Sequence, residues 1–157
     1  MYRIQSSVIR YISGNGVGFA AGASNTGLPG AGVLSLSGRV NLENTLFSDC
    51  YEYAVLGYGG GDYQLNYCTI ANYPATSAVR NPASLTFTDV SASDSTKRYA
   101  LSVSLTNSIV WGNAADELFF GGFNRYAATV SVRNNLLKSS TVPSRHRCAW
   151  QARPRQV

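Results

Sequence analysis

The sequence predicts an all-β fold, a right-handed, single-stranded parallel β-helix (a solenoid) of about six or seven coils over residues 1–138. Three observations support this prediction: one six-residue pattern recurs five times, glycine and asparagine cluster between the recurrences, and the composition disfavours helices. Charged residues make up only 13% of the chain, and Ser, Thr, Asn, Gly and Tyr fill the deficit. Such a mixture suits strands with neutral outer faces better than it suits surface helices.

The repeated pattern is a hexad with an aliphatic first position, a small or polar fourth position and an apolar sixth position. The five hexads occupy residues 4–9, 42–47, 65–70, 105–110 and 132–137. Their starts are 38, 23, 40 and 27 residues apart, and steps of 38 and 40 each suggest two coils of about twenty residues. Weaker rungs are accordingly expected at 33–36 and 85–90. A coil of this length cannot bury its inward face alone, so stacked coils must bury one another's.

The third hexad position is rich in asparagine. Asn44, Asn107 and Asn134 occupy it, and Tyr67 interrupts the series. Because strand side chains alternate, the first, third and fifth positions should share one face. We therefore expect a ladder of asparagines in the interior, where strand meets turn, with a bulge or a shift of register near Tyr67. An antiparallel sandwich with short strands is the competing fold, although it does not require five hexads in phase.

The net charge of +5 is concentrated at one end of the chain. Four arginines lie in the last thirteen residues, and without them nine Lys/Arg face eight Asp/Glu. A protein that binds nucleic acid through its phosphates usually carries basic charge across its folded surface, so no nucleic-acid partner is expected. No apolar run approaches the roughly twenty residues of a membrane-spanning helix, so no membrane span is expected.

The three cysteines do not form a metal-binding pattern. Cys50, Cys68 and Cys148 make neither a CxxC nor a Cys/His spacing. Cys50 and Cys68 are expected to be small buried side chains, and a disulfide between them is the alternative that the sequence leaves open. The only histidine, His146, lies outside the hexads, which leaves no Ser-His-Asp or Cys-His arrangement within them.

Two segments carry a family resemblance: 66–73 (NYCTIANY) and 105–113 (LTNSIVWGN). They resemble rungs of the right-handed parallel β-helix repeat proteins, the pectate-lyase-like superfamily, and within it secreted or surface β-helix proteins of Bacteroidetes-type bacteria. The resemblance covers residues 1–138 and implies an exported parent protein of which this chain is a fragment, with the remaining coils as its neighbours. Residues 1–16 lack the apolar stretch of a signal peptide, so none is expected there. Residues 139–157 are expected to form an irregular basic tail that is not native to the repeat.

The resemblance also implies the chemistry to look for. Lyases of this fold use an acidic cluster that binds calcium and a basic residue, whereas glycosidases use paired carboxylates. Asp116 and Glu117 form the one adjacent acidic pair outside the hexads, and neighbours on a strand point to opposite faces. A solvated turn is the expected role of this pair and of Asp89. We therefore predict no catalytic residue, no metal ligand and no cofactor; calcium enters only with the lyase alternative.

A cluster of tyrosines is the predicted ligand-binding site. Tyr51, Tyr53, Tyr58 and Tyr63 flank three successive glycines, with Asp62 beside them. Aromatic rings can stack on sugars, and glycines let a backbone approach a ligand closely. The predicted function is a non-catalytic structural or carbohydrate-contacting segment of a larger secreted or cell-surface protein, with a polysaccharide as its partner. A polysaccharide lyase or glycoside hydrolase and a surface adhesin are the alternatives.

Overall fold

The computed structural model describes residues 1–12, 30–73, 82–122 and 128–140. These residues form fourteen strands in three sheets, and every pairing between the strands is parallel. Successive strands of the described residues visit sheet A, sheet B and sheet C in strict turn, from the first strand to the fourteenth. The predicted all-β parallel β-helix is therefore confirmed.

The bounds of the strands follow the order of the sheets. Sheet A consists of β1 (Tyr2–Gln5), β4 (Arg39–Glu43), β7 (Gly61–Asn66), β10 (Leu101–Thr106) and β13 (Ala128–Arg133). Sheet B consists of β2 (Val8–Arg10), β5 (Leu46–Ser48), β8 (Thr69–Asn72), β11 (Ile109–Gly112) and β14 (Leu136–Leu137). Sheet C consists of β3 (Ala31–Ser35), β6 (Tyr53–Gly57), β9 (Leu85–Thr88) and β12 (Leu118–Gly121).

The number of coils is smaller than predicted. Sheets A and B each hold five strands and sheet C holds four, which makes four to five coils rather than six or seven. The steps of 38 and 40 residues are single long coils, because β1 pairs directly with β4 and β7 pairs directly with β10. The weaker rungs at 33–36 and 85–90 belong to β3 and β9 of sheet C, and are not further copies of the hexad.

The first and sixth hexad positions form the core. The first positions lie in one unbroken register along sheet A, as predicted: Ile4, Leu42, Leu65, Leu105 and Val132. The sixth positions line sheet B in the same way: Ile9, Phe47, Ile70, Val110 and Leu137. Nearly all of these side chains are buried in a single hydrophobic cluster. Stacked coils thus bury one another's inward faces, because no coil could do so alone.

The third hexad position is the corner between sheets A and B. Its residue has a left-handed backbone in all five coils, with φ between 48° and 55°: Ser6, Asn44, Tyr67, Asn107 and Asn134. Asparagine is one of the few side chains that tolerate this conformation, which explains its recurrence. The side chains point outward and are exposed, so the prediction of an interior asparagine ladder was wrong. The register continues through Tyr67 without the predicted bulge.

The interior ladder belongs to the fourth position instead. Thr45 Oγ1 donates to the Glu43 carbonyl at 3.0 Å, and Ser108 Oγ donates to the Thr106 carbonyl at 2.7 Å. Each hydroxyl thus supplies a hydrogen bond to the last carbonyl of the preceding strand. Ser108 Oγ also accepts the Cys68 N–H at 3.0 Å, which joins adjacent coils. Buried polar groups need such partners, which is why this position is always small or polar.

Cys50 and Cys68 are buried, as expected, and no disulfide joins them, so the alternative that the sequence left open is excluded. Burial raises the pKa of the Cys68 thiol above its ordinary value, which keeps it protonated and unreactive. Among the residues that the structure describes, no helix is long and apolar enough to cross a membrane. Cys148 and the rest of the predicted tail from residue 141 onward lie outside the described residues.

The stacked core predicts a large penalty for a truncation at the first hexad position. Leu105→Ala should lower the free energy of unfolding by about 2–5 kcal/mol, because Leu105 is buried between the strands of two neighbouring coils. The adjacent Ser104→Ala, on the outer face, should change it by less than about 0.5 kcal/mol. Urea unfolding followed by circular dichroism measures both. Equal effects would contradict the inward assignment of Leu105.

Candidate functional site

The outer face of sheet A is a continuous polar surface that crosses all five strands of the sheet. We define it by the outward residues of its strands, which lie in three rows that cross the coils. The rows are Arg39, Asp62, Ser102 and Thr129; Arg3, Asn41, Gln64, Ser104 and Ser131; and Gln5, Glu43, Asn66, Thr106 and Arg133. Strand alternation places these residues opposite the buried core positions of the same strands.

Two ion pairs between neighbouring coils lie on this face. Arg3 Nη2 is 3.0 Å from Glu43 Oε2, and Arg39 Nε is 2.8 Å from Asp62 Oδ2. Each carboxylate of the face is therefore held beside an arginine. The rest of the rows carry mostly amides and hydroxyls, such as Asn66 Oδ1, which accepts a hydrogen bond from Thr106 Oγ1 at 2.9 Å.

A shallow depression of about 280 Å³ lies in the middle of the face. Its lining is almost wholly neutral and polar: Asn41, Glu43, Gln64, Leu65, Asn66, Ser104 and Thr106. The depression spans three neighbouring strands, β4, β7 and β10, and so presents similar groups from three successive coils. Such a surface can donate and accept hydrogen bonds along a repetitive ligand.

Tyr63 belongs to the core and not to a ligand site, so its inclusion in the predicted site was wrong. Its ring is fully buried and lies 4.8 Å from the ring of Phe87, and its hydroxyl donates to the Gly60 carbonyl at 3.1 Å. Gly57 leaves the space for this ring, since a Cβ there would lie 2.5 Å from the Tyr63 hydroxyl. The glycine-rich segment thus admits a tyrosine of the chain itself.

The other predicted ligand residues do not form one cluster. Tyr51 is exposed and precedes β6, so the pleat of the strand does not place it beside Tyr53, the first residue of β6. Tyr58 follows the opposite end of that strand. Asp62 lies on the outer face of sheet A, in its ion pair with Arg39. Ligand binding by Tyr51, Tyr53, Tyr58 and Asp62 stays a prediction.

The adjacent acids point to different surroundings, and Glu117 is fully buried rather than part of a solvated turn. One carboxylate oxygen of Glu117 accepts the Ser84 N–H at 3.1 Å and the Ser84 hydroxyl at 2.6 Å. The other oxygen accepts the Ala114 N–H at 2.9 Å. Glu117 therefore fastens two neighbouring coils together. A carboxylate committed to three hydrogen bonds in the interior is not available to a substrate at the surface.

Asp116 is held at the surface by the end of the described chain. Hydrogen bonds from the Ser140 backbone, and then from its hydroxyl, lower the pKa of Asp116 below its ordinary value of 3.8 despite partial desolvation. Asp116 is thus ionised at neutral pH and engaged by Ser140. The two acids do not converge on a common point, although both precede β12 and strand alternation is therefore not the reason.

Asp89 is a second buried carboxylate where a solvated turn was expected. Arg98 Nη1 lies 2.8 Å from Asp89 Oδ1 and also donates to the Gly122 carbonyl. The pair closes the loop 89–100, whose ends are joined further by a hydrogen bond from Tyr99 N to the Asp89 carbonyl. The contact is structural, because the carboxylate is enclosed by its own loop.

No group of three or more His, Cys, Asp or Glu side chains within the described ranges is placed to hold a metal ion. His146 lies outside those ranges. In three comparisons with known proteins, no family model, no curated protein and no solved structure matches this chain.

The polar rows of sheet A were not predicted, although the sequence contains a pattern that indicates them. The residue immediately before each hexad is polar in all five coils: Arg3, Asn41, Gln64, Ser104 and Ser131. With the second hexad position, it makes a period-two alternation of outward polar and inward apolar residues. The clustered tyrosines do not occupy this recurring position, and so they do not indicate this surface.

The buried ion pair of the 89–100 loop predicts a large effect of removing Arg98. Arg98→Ala should lower the free energy of unfolding by about 3 kcal/mol, since it removes the cation beside a buried carboxylate. The matched control is Lys97→Ala, which breaks an exposed pair with Asp94 and should have a much smaller effect, because solvent screens that pair. Denaturant unfolding at neutral pH compares the two. Equal losses would show that the Asp89–Arg98 pair does not close the loop.

The lowered pKa of Asp116 predicts an acid-side loss of stability. A carboxyl whose folded-state pKa lies below its unfolded value stabilises the fold above the unfolded value and loses that contribution as the pH falls through the folded-state pKa. The stability advantage of the wild type over Asp116→Asn should therefore be present at neutral pH and shrink as the pH is lowered below the ordinary value of 3.8. Unfolding measured across this pH range tests this, and a pH-independent difference would contradict it.

Proposed function

We propose that this chain is a non-catalytic β-helix segment of a larger exported protein, and that it contacts a polysaccharide along the outer face of sheet A. The observation that carries the proposal is the set of three polar rows on that face. Parallel strands repeat at about 4.8 Å, so each row presents amides and hydroxyls at regular intervals. A ligand that itself repeats, such as a polysaccharide, can use the same contacts coil after coil.

The composition of the face suits sugars because most of its groups are neutral. Hydroxyl and amide side chains can both donate to and accept from sugar hydroxyls. The two carboxylates, Glu43 and Asp62, already lie beside arginines of the neighbouring coil, which holds them in place across the face. The depression of about 280 Å³ supplies a shallow binding surface for a short stretch of the polysaccharide.

A non-catalytic role is favoured over a lyase or a glycoside hydrolase by the surroundings of the acids. Glycoside hydrolysis needs two carboxyl groups that flank one bond, and calcium-dependent lyases need an acidic cluster. In the described part of the chain, Glu117 and Asp89 are buried in structural contacts, and the acids of the sheet A face are paired with arginine. The enzymatic and adhesin alternatives become distinct outcomes of the test.

The test is polysaccharide binding by a double variant in the centre of the face. Asn41→Ala with Gln64→Ala removes two adjacent amides of one row and should weaken binding about tenfold or more, since each lost hydrogen bond is worth about 1 kcal/mol. The matched control, Ser93→Ala with Thr96→Ala, alters two exposed residues of the 89–100 loop and should leave binding unchanged. Affinity electrophoresis and calorimetry over neutral and acidic polysaccharides measure the effect.

Each alternative predicts a different result. Release of unsaturated products absorbing in the ultraviolet, with or without calcium, would replace the proposal by a polysaccharide lyase, and new reducing ends alone would replace it by a glycoside hydrolase. Capture of a protein ligand without binding to any polysaccharide would favour an adhesin. Equal affinities of the double variant and the wild type would show that the polysaccharide does not bind the outer face of sheet A.

A further inference from the structure

Tyr67 stands at a corner position that is unfavourable for it. The equivalent residues of the other coils are Ser6, Asn44, Asn107 and Asn134, and all five have a left-handed backbone. Small polar side chains tolerate this conformation, whereas a bulky one with φ of 53° is an outlier. Burial of the ring does not offset the unfavourable backbone conformation, because Tyr67 is 61% exposed.

Tyr67 also interrupts the hydrogen bonds between corner side chains. Asn134 Nδ2 donates to Asn107 Oδ1 at 3.4 Å, one coil to the next. At the following step Asn107 Nδ2 instead donates to Asn66 Oδ1 at 3.0 Å, because Tyr67 has no amide to offer. An unfavourable residue that contributes neither core contacts nor ladder contacts indicates a role other than folding.

An open depression of about 260 Å³ lies beside this ring. Every residue of its lining is uncharged: Ser6, Ser7, Val8, Asn44, Thr45, Leu46, Tyr67 and Thr69. Val8 and Leu46 supply an apolar floor on the outer face of sheet B, where they are register neighbours. Ser6 and Asn44 supply exposed polar groups at the corner, joined by a hydrogen bond of 3.4 Å. An aromatic ring, an aliphatic floor and neutral polar groups thus face one space.

We propose that Tyr67 is a stacking platform for a single uncharged pyranose ring, whose hydroxyls contact Ser6 and Asn44. A sugar ring has an apolar face for the tyrosine and the aliphatic floor, and a hydroxylated edge for the polar groups. The uncharged lining selects a neutral sugar over a uronate, because a carboxylate would lose its hydration without gaining a cationic partner among the lining residues.

The depression beside Tyr67 continues from the surface of the proposed function, on which this inference rests. Asn66 lines the depression on sheet A and Tyr67, the next residue, lines the one at the corner. In the neighbouring coil, Glu43 and Asn44 are divided between the two depressions in the same way. A polysaccharide crossing the sheet A face can therefore extend over the corner and place one neutral residue on the ring of Tyr67.

The decisive variant is Tyr67→Asn, which installs the residue present at three of the other four corners. It should lower affinity for neutral polysaccharides about tenfold, while the thermal midpoint stays equal or rises, since asparagine suits the left-handed backbone and restores an amide to the corner. Tyr67→Phe keeps the ring and should retain most of the affinity. Tyr11→Asn is the matched control, because Tyr11 has φ of 55°, is 71% exposed and does not line the depression.

Binding is measured with β-glucan, xylan and mannan as neutral probes, and with polygalacturonate and alginate as acidic probes. Wild-type affinity in Tyr67→Asn, together with weakened binding in the Asn41→Ala and Gln64→Ala double variant, would overturn the platform and leave the proposed function standing. If the wild type bound only the acidic probes, the inference of a neutral ligand would be wrong and the proposed function would still stand. Binding to no probe would overturn both proposals.

Discussion

The left-handed residue at the corner between sheets A and B is the constraint on which the rest of the structure depends. It occurs once in each of the five coils, with nearly the same φ, and it turns the chain from one sheet to the next within two residues. Because this corner never changes length, the strands on both sides stay in register through the whole stack. A slip by one residue would reverse every inward and outward side chain, so a fixed corner also fixes the core. The longer connections lie at the other two corners; the loop 89–100, for example, joins sheet C to sheet A.

Most of the fold could be predicted from the sequence because its restraints are local and periodic. The hexad identified the inward first position of sheet A, which is confirmed. The fifth position was expected on the same face, but it lies outward on sheet B, and the sixth position lies inward there instead. The side chains of Asn44 and Asn107 were assigned to the wrong side because period-two alternation holds only within a strand, and the left-handed corner interrupts it. The number of coils was wrong for a related reason: spacing alone does not distinguish one coil with a long excursion from two short coils. That distinction depends on which strands pair, as Leu65 does with Leu105.

Less of the candidate site could be predicted, because burial of its residues is decided by distant parts of the chain. In the sequence, Tyr63 resembles its neighbouring tyrosines. In the structure its ring is buried in the core, because Gly57 leaves space for it and the ring of Phe87 packs against it. Glu117 adjoins the surface residue Asp116, yet contacts from Ser84 of the preceding coil bury it. Clusters of tyrosines or acids in a sequence do not encode such contacts. The outward polar rows could have been found, since they follow the same period as the hexad.

Inward and outward positions of the coils have different roles, and this difference explains the composition of the outer surface. In a solenoid the inward residues and the corners specify the fold, so the outward residues are released from core packing. A soluble protein usually covers such positions with charged side chains, whereas only 13% of this chain is charged. Neutral amides and hydroxyls are cheaper to desolvate than charges when a ligand covers them. A surface that holds its carboxylates beside arginines, as Asp62 lies beside Arg39, and presents mostly neutral groups elsewhere suits the proposed exchange of water for sugar hydroxyls. Tyr67 adds to that surface the one kind of contact that amides and hydroxyls lack, an apolar ring face, at a corner where folding alone favours asparagine.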